Sequence, residues 1–540
     1  MSNPHPVPDQ ASSTSEIDPY VLHESRIKEP PGTFKESLKY LGPGFILSAS
    51  IVGSGELFAT TIAGADAGFV LMWFIIFSCL VKVAVQLEFG KHAISSGEAT
   101  MTSLNTLPGP RFKGANWSIW AWLLLMVFKM MQVGGIVGGV VWAIEEFAPA
   151  WKDTPVIHIP LTFMVAGSVS LLIFRGYYTL IEKASLIMIG GFTLFTVISL
   201  CSLQFTDNAI TFSQIGSGLI PSVPDDVKIL FVAMGAFGIT GVGGDEIMAY
   251  NYWLIEKGYA AYTGPRNDSP EWEHRAKGWI KVMYWDAICS MVAYTAMTVM
   301  FYLLGAAVLH GTDFDRGDLI AELGQMYTTT LGPEYNTLWI LGAIVVLYST
   351  LMGALAAWTR MFSDAFGQIG LINFSNHAQR KTAIAWLAWV IPALWGLLFL
   401  ILDNPALMVF LGGLVTVVIL LIVALAAVFF RNKRLDPRLK PSRAYDVVLY
   451  SSIIAIVLAA GVSLYKAVKD FSEVDDKDSS TEVEARETNT DSDNPTGDSR
   501  SDTGNKVSNN PDSETDTSNE ATMEDSDKQT DEQVDQEAGQ

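Results

Sequence analysis

The chain has 540 residues, of which 50% are hydrophobic and only 17% charged, with a formal net charge of −21. That balance is extreme for this length, and the apolar residues are not spread evenly. They gather in runs of about 18 to 30 residues, the length a helix needs to cross roughly 30 Å of hydrocarbon, which excludes a soluble globular architecture and predicts an all-α polytopic membrane protein.

Residues 1–40 are polar, have no apolar core and form an N-terminal segment, so no cleavable signal peptide is expected. Eleven apolar runs follow, at about 42–63, 68–90, 118–145, 158–174, 180–203, 229–254, 279–307, 335–362, 382–402, 405–430 and 445–467, and delimit a transmembrane domain over 41–467. Residues 468–540 are rich in Ser, Thr, Asp, Asn and Glu. From 471 onward they hold 22 acids against 5 bases, so the remaining chain carries a net charge of only −4. Such a segment buries too little apolar surface to offset its chain entropy, and disorder is expected. The tail reads as solvated, or as an antenna for cations.

Glycines and carboxylates interrupt two of the runs. The first holds Gly53-Ser54-Gly55-Glu56, the sixth Thr240-Gly241-Val242-Gly243-Gly244-Asp245-Glu246. A broken helix in hydrocarbon leaves N–H and C=O groups unpaired at several kcal/mol each, as an order of magnitude, unless it is buried in protein or lines a watery cavity. Breaks in runs one and six divide the first ten spans into two sets of five. An odd number per set forces opposite topology, so the sets are expected to be inverted repeats with a site between them at the midplane, and the eleventh span an accessory helix.

Basic residues set the orientation. Segments on the N-terminal side carry 23 Lys and Arg, while the opposite loops carry only Lys152, Lys228 and Arg316. The positive-inside rule then places the N-terminus in the cytoplasm and the acidic tail outside, in the plasma (inner) membrane. Two outer stretches, 209–219 and 315–329, read as amphipathic surface helices, and the cytoplasmic loop 255–280 as mobile. The tryptophans of 116–122 and 253–285 fit an interfacial belt. Arg360 and Asp364 read as an i,i+4 pair. Lys129 and Asp286 are intramembrane ionisable groups for which a functional and a structural role weigh equally, and Lys82, like Lys129, can pair with an acid such as Glu88 or snorkel.

The first break lies in GPGFILSASIVGSGELFATTIAGADAGFVLMW, starting at Gly42. This resembles the opening of the Nramp family of proton-coupled divalent-metal transporters, whose first helix reads GPGF, seven residues, Asp-Pro-Gly-Asn, then an aromatic-Ala-Thr-Asp. Phe58-Ala59-Thr60, Ala63-Gly64 and the hydroxyl-rich Tyr348-Ser349-Thr350 with Gly353 look similar too. The resemblance covers about residues 35–430 and implies the LeuT-type fold of five plus five inverted helices. The departures bear on cargo. Gly53-Ser54-Gly55-Glu56 stands where the family has Asp-Pro-Gly-Asn, so the metal-ligating Asp is absent, and the sixth-span break has neither the family's Met nor its His.

Two substrate classes follow. For a divalent cation, Glu56, Asp245 and Glu246 are the metal-ligand candidates, with Gly53, Ser54, Thr240 and Gly241 completing the substrate site. An all-oxygen set favours hard ions such as manganese or magnesium. The alternative is a small anion such as bicarbonate, or a small organic solute, held by break N–H groups and half-helix N-termini, with Lys82 and Lys129 compatible. Either cargo would be coupled to H⁺ or Na⁺ in a symporter. Ser349 and Thr350 are the coupling-ion candidates, or plain interhelical hydrogen bonds, and Glu56 or Asp245 a proton carrier. No phosphate loop, HExxH or nucleophile–base pair suits an enzyme. No cofactor or nucleic-acid partner is expected beside the bilayer and the transported ions.

Overall fold

The computed structural model describes residues 18–152, 154–174, 178–222, 227–312, 319–463 and 465. The acidic tail 468–540 and Arg316 lie outside the described residues, and so do the side chains of Ser54 and Lys228. Apart from a two-stranded hairpin pairing Arg111–Phe112 with Ala115–Asn116, the regular structure of the described residues is helical.

Among the described residues, eight helices are long and apolar enough to cross a membrane: Met72–Ser96, Trp117–Glu146, Pro155–Ile173, Pro270–Leu309, Pro333–Gln368, His377–Leu402, Pro405–Arg434 and Arg443–Ser463. They occupy the second to fourth and seventh to eleventh places of the eleven apolar runs. The first place is a bent pair, Pro43–Ile51 and Gly55–Ala67, inclined by 45°. The fifth is Tyr178–Leu203, and the sixth is split into Val227–Ile239 and Gly244–Lys257.

The first span differs from the expected interruption. Its glycines do not unwind it. The helix widens into a π-helix over Val52–Thr60 and returns to α at Thr61–Ala67. Two hydroxyls bond carbonyls in and just before the widened segment: Thr60 Oγ1 donates to the Glu56 carbonyl at 2.5 Å, and Ser349 Oγ of the eighth span donates to the Ala49 carbonyl at 3.0 Å. π-Bulges of this kind gather at functional positions. The sixth span is truly broken at residues 240–243, where Gly241 has φ +63°, a left-handed conformation that favours glycine.

Asp286 of the seventh span anchors the start of the first. Its carboxylate accepts from the backbone N–H of Gly42 (2.8 Å) and Gly44 (2.7 Å) and from the Tyr250 hydroxyl (2.9 Å). This is helix-terminal capping by an anion supplied from another span, and it gives Asp286 a structural task. The expected i,i+4 pair of Arg360 with Asp364 does not form, because each is taken by partners on other elements. Arg360 forks onto Glu256 at 2.6 and 2.9 Å. Asp364 accepts from the N–H groups of Met101 and Thr102 and from the Tyr252 hydroxyl. The belt expectation fails for Trp122, Trp253, Trp272 and Trp279, which are buried inside the protein, where they fill volume between helices. Both amphipathic stretches contain helices, Phe212–Gly218 and Leu319–Leu331. The second is no free surface helix, because its Tyr327 ring stacks on Phe195 and Trp339.

Candidate substrate site at two distorted helices

The two distorted segments touch. A Cβ added to Gly55 would stand 2.5 Å from the Ile239 carbonyl oxygen, so the first span lies directly against the end of the sixth span's first half. On its other side, a Cβ at Gly53 would come 2.0 Å from Thr350 Oγ1 and 2.4 Å from the Val346 carbonyl. The eighth span therefore occupies the space that a side chain at position 53 would need. This is the position where the resemblance places an aspartate.

Glu56 joins the two breaks. It is fully buried, and its Oε1 accepts from the Gly241 N–H at 2.8 Å, satisfying a donor that the broken helix leaves free. Its Oε2 has no hydrogen-bond partner among the described residues. Leaving a buried carboxylate oxygen unpaired costs about 1–3 kcal/mol or more. Tyr294, whose hydroxyl is also buried without a partner, and Thr298 of the seventh span stand close to Glu56.

Thr240 faces the second span: its hydroxyl shares a 2.8 Å hydrogen bond with Ser78. Lys82, one turn further on, donates to the carbonyls of Phe237 (2.5 Å) and Thr240 (2.6 Å). Those carbonyls belong to the last turn of a helix, which leaves its final C=O groups without intrahelical donors. A cation there also meets the negative end of the helix dipole. Lys82 is fully buried. Glu88, its expected partner, instead pairs with Lys91.

Asp245 and Glu246 open the second half of the sixth span. Asp245 Oδ1 lies 3.1 Å from Lys129 Nζ, and its Oδ2 accepts from the Trp358 indole at 3.0 Å. Lys129 also reaches the Thr416 hydroxyl of the tenth span. Glu246 Oε2 accepts from the Gly243 N–H at 2.5 Å, capping the helix it sits in. Thus Glu56, Thr240, Gly241, Asp245 and Glu246 gather at one buried junction. The three carboxylates do not converge, because each has a separate backbone or lysine partner. Among the described residues no group of three Asp, Glu, His or Cys side chains is placed to hold a metal ion. Ser349 and Thr350 direct their hydroxyls at the Ala49 carbonyl, at 3.0 and 3.5 Å.

Sequence reasoning missed Lys82 as the cap of the sixth-span break, and also Trp358 and Thr416. A signal existed for the first. Ser78 and Lys82 are four residues apart on one helix face, the spacing that aligns side chains over one turn.

Such a buried junction between a bent first span and a broken sixth span defines a LeuT-type membrane transporter. The model of the family described as natural resistance-associated macrophage protein-like, Nramp, matches residues 44–466. The chain belongs to the Nramp family; it is an integral membrane transporter and no enzyme. It is 26% identical over 333 residues to a divalent metal cation transporter, MntH, of Yersinia pestis, covering 60% of this chain and 72% of that protein. In structure it is similar to a manganese transporter of Eremococcus coleocola, with a TM-score of 0.60 and 13% identity over 84% of this chain and 92% of the other. MhsT in complex with L-phenylalanine follows with a TM-score of 0.50 and 15% identity, covering 80% and 100%.

Proposed function

We propose that this protein is a secondary active carrier of a divalent metal cation, with hard ions such as manganese or magnesium preferred. Glu56 supports this reading most directly. One of its oxygens holds the two breaks together, and the other is buried and free to ligate. Freed backbone carbonyls, Thr240 and the carboxylates Asp245 and Glu246 are further oxygens within the same junction. An all-oxygen set without thioether or imidazole suits manganese, magnesium or calcium better than softer ions. The relatives carry names of divalent-metal and manganese transporters, which supports the same cargo.

In the closed junction Lys129 neutralises Asp245, and Glu246 caps its own helix, so binding requires these partners to separate. Alternating access supplies that motion. The coupling ion is H⁺ or Na⁺. Ser349 and Thr350 lie against the Ala49 carbonyl, where the first span widens. The N-terminus faces the cytoplasm of a plasma membrane, following the charge of the loops. At the opposite end a cavity of about 410 Å³ is lined by Glu145, Glu146 and Asp403 against Lys152 and His158, so that acids outnumber bases in a vestibule that would attract cations.

The second reading, a small anion or organic solute, draws on a specific observation as well: two ammonium groups, Lys82 and Lys129, stand at the sixth-span break. Uptake by proteoliposomes separates the two. Manganese, magnesium and calcium are offered against bicarbonate and small carboxylates, with sodium or a pH gradient present or absent. Saturable manganese or magnesium uptake that competes with calcium supports the metal carrier. Uptake of anions alone overturns it.

A further inference from the structure

The Lys82 ammonium sits where a free cation would sit. The sixth span stops at Ile239, and the C-terminal turn of its first half presents carbonyl oxygens at the negative end of the helix dipole. The Phe237 carbonyl of that turn and the Thr240 carbonyl just beyond it accept from Lys82 Nζ at 2.5 and 2.6 Å, and the Phe237 ring lies 4.8 Å from the same nitrogen. Glu56 and Glu246 are its acidic neighbours. Paired carbonyls, a ring face and nearby carboxylates make a cage for a small monovalent cation, and the ammonium of lysine is a compact point charge with three donors that fits such a cage.

The second span is shaped to deliver that charge. Ser78, one turn before Lys82, donates to the same Phe237 carbonyl at 3.2 Å and bonds the Thr240 hydroxyl. Lys82 is fully buried and its stem lies among helices, so the ammonium cannot reach water by extending along the span. It is held at the break.

We propose that the carbonyls of Phe237 and Thr240 form a monovalent-cation site whose occupant is built into the chain as the Lys82 ammonium, so that this carrier needs no free sodium or potassium ion at that position. The lysine is then a positioning residue: it holds the end of the broken helix against the second span in the geometry that a bound ion would otherwise impose. The proposal concerns the same junction as the metal reading, and rests on it only for the uptake measurement below.

The test removes the tether and supplies the charge separately. Full-length protein carrying Lys82→Ala leaves a void beside the two carbonyls, which methylammonium fits in size and charge. Lys82→Met fills the volume without charge. Melting temperatures are measured in detergent with methylammonium, sodium or choline chloride at equal ionic strength. Lys82→Ala is expected to melt below the wild type, and methylammonium to raise it by about 3 °C over choline, the scale of a ligand in excess over its dissociation constant. Wild type and Lys82→Met should not respond. If Lys82→Ala cannot be purified, Lys82→Ser carries the same comparison. A methylammonium response equal in all variants, or none in the small-residue variants, overturns the proposal.

Uptake of manganese gives the second measurement. Each protein is compared with itself at a fixed sodium concentration: Lys82→Ala uptake should be low in choline and regained in methylammonium, while wild-type uptake should not change between the two. If the wild type moves no divalent ion, the metal reading fails while the melting comparison still decides the role of Lys82.

Discussion

The two helix distortions solve one problem in different ways. The first span keeps its hydrogen bonds by widening into a π-helix, and lends the junction a side chain, Glu56. The sixth span interrupts its backbone ladder between Thr240 and Gly243 and is repaired from outside, by Glu56 at the Gly241 N–H and by Lys82 at the Phe237 and Thr240 carbonyls. One distortion supplies a cap and the other receives caps. The difference teaches that the first span can be altered at Glu56 with its helix kept, whereas the sixth depends on partners from other spans.

The largest expected effect comes from Glu56→Gln. The amide oxygen can still accept from the Gly241 N–H, so the fold should persist. The charge is lost, and the buried Lys82 loses an acidic neighbour. A hydrogen bond or contact to a charged ligand is worth about 1.5–3 kcal/mol, roughly 10- to 100-fold in affinity. Manganese uptake should fall by a factor in that range at unchanged expression; uptake within a few-fold of wild type would show that the first break contributes no ligand.

Gly53→Ala comes next, and it acts on packing alone. The new methyl would enter the space of Thr350 Oγ1 and the Val346 carbonyl. Backbone cannot give way cheaply, so a loss of about 1–3 kcal/mol is expected, read as a lower melting temperature. Gly241→Ala should cost less, about 1–2 kcal/mol, from φ +63° together with a Cβ 2.9 Å from the Cys79 Cα. If Gly241→Ala proves the more damaging, the sixth break is the stiffer of the two and the comparison is reversed.

Much of this was legible in the sequence. Run lengths placed the helices, and GPGF with the Gly-rich motifs pointed to the family. The kind of distortion was not legible, because Gly53-Ser54-Gly55 reads equally as unwinding or as widening. The contacts around it come from far away: the hydroxyl of Ser349, about 300 positions on in the chain, bonds the Ala49 carbonyl just before the widened segment. Lys82 was misread for the same reason. Its nearest acid in sequence space is Glu88, but its partners are carbonyls of another span, which no local pattern announces. Asp286 likewise showed only that it was buried and charged; its task became visible once Gly42 and Gly44 stood opposite it.

The smallest expected effect lies outside both breaks and isolates them. In the loop after the tenth span, Asp436 accepts two hydrogen bonds from the Arg438 guanidinium at 3.0 Å and one from its N–H at 2.9 Å, and pairs with Arg266 at 2.7 Å. The Arg438 hydrogen bonds, with Arg266 adding, hold its carboxyl down to about 2, below the ordinary value near 3.9. A group whose folded value is depressed contributes stability that is present above the unfolded value and lost as pH falls through the folded one. Wild type should therefore melt above Asp436→Asn by a constant margin from neutral pH down to about 5, and the margin should shrink between about 4 and 2. Manganese uptake at neutral pH should be the same in both proteins. A variant that loses uptake while keeping its melting temperature would tie this loop to the sixth-span break, and the two distortions would no longer account for the transport site by themselves.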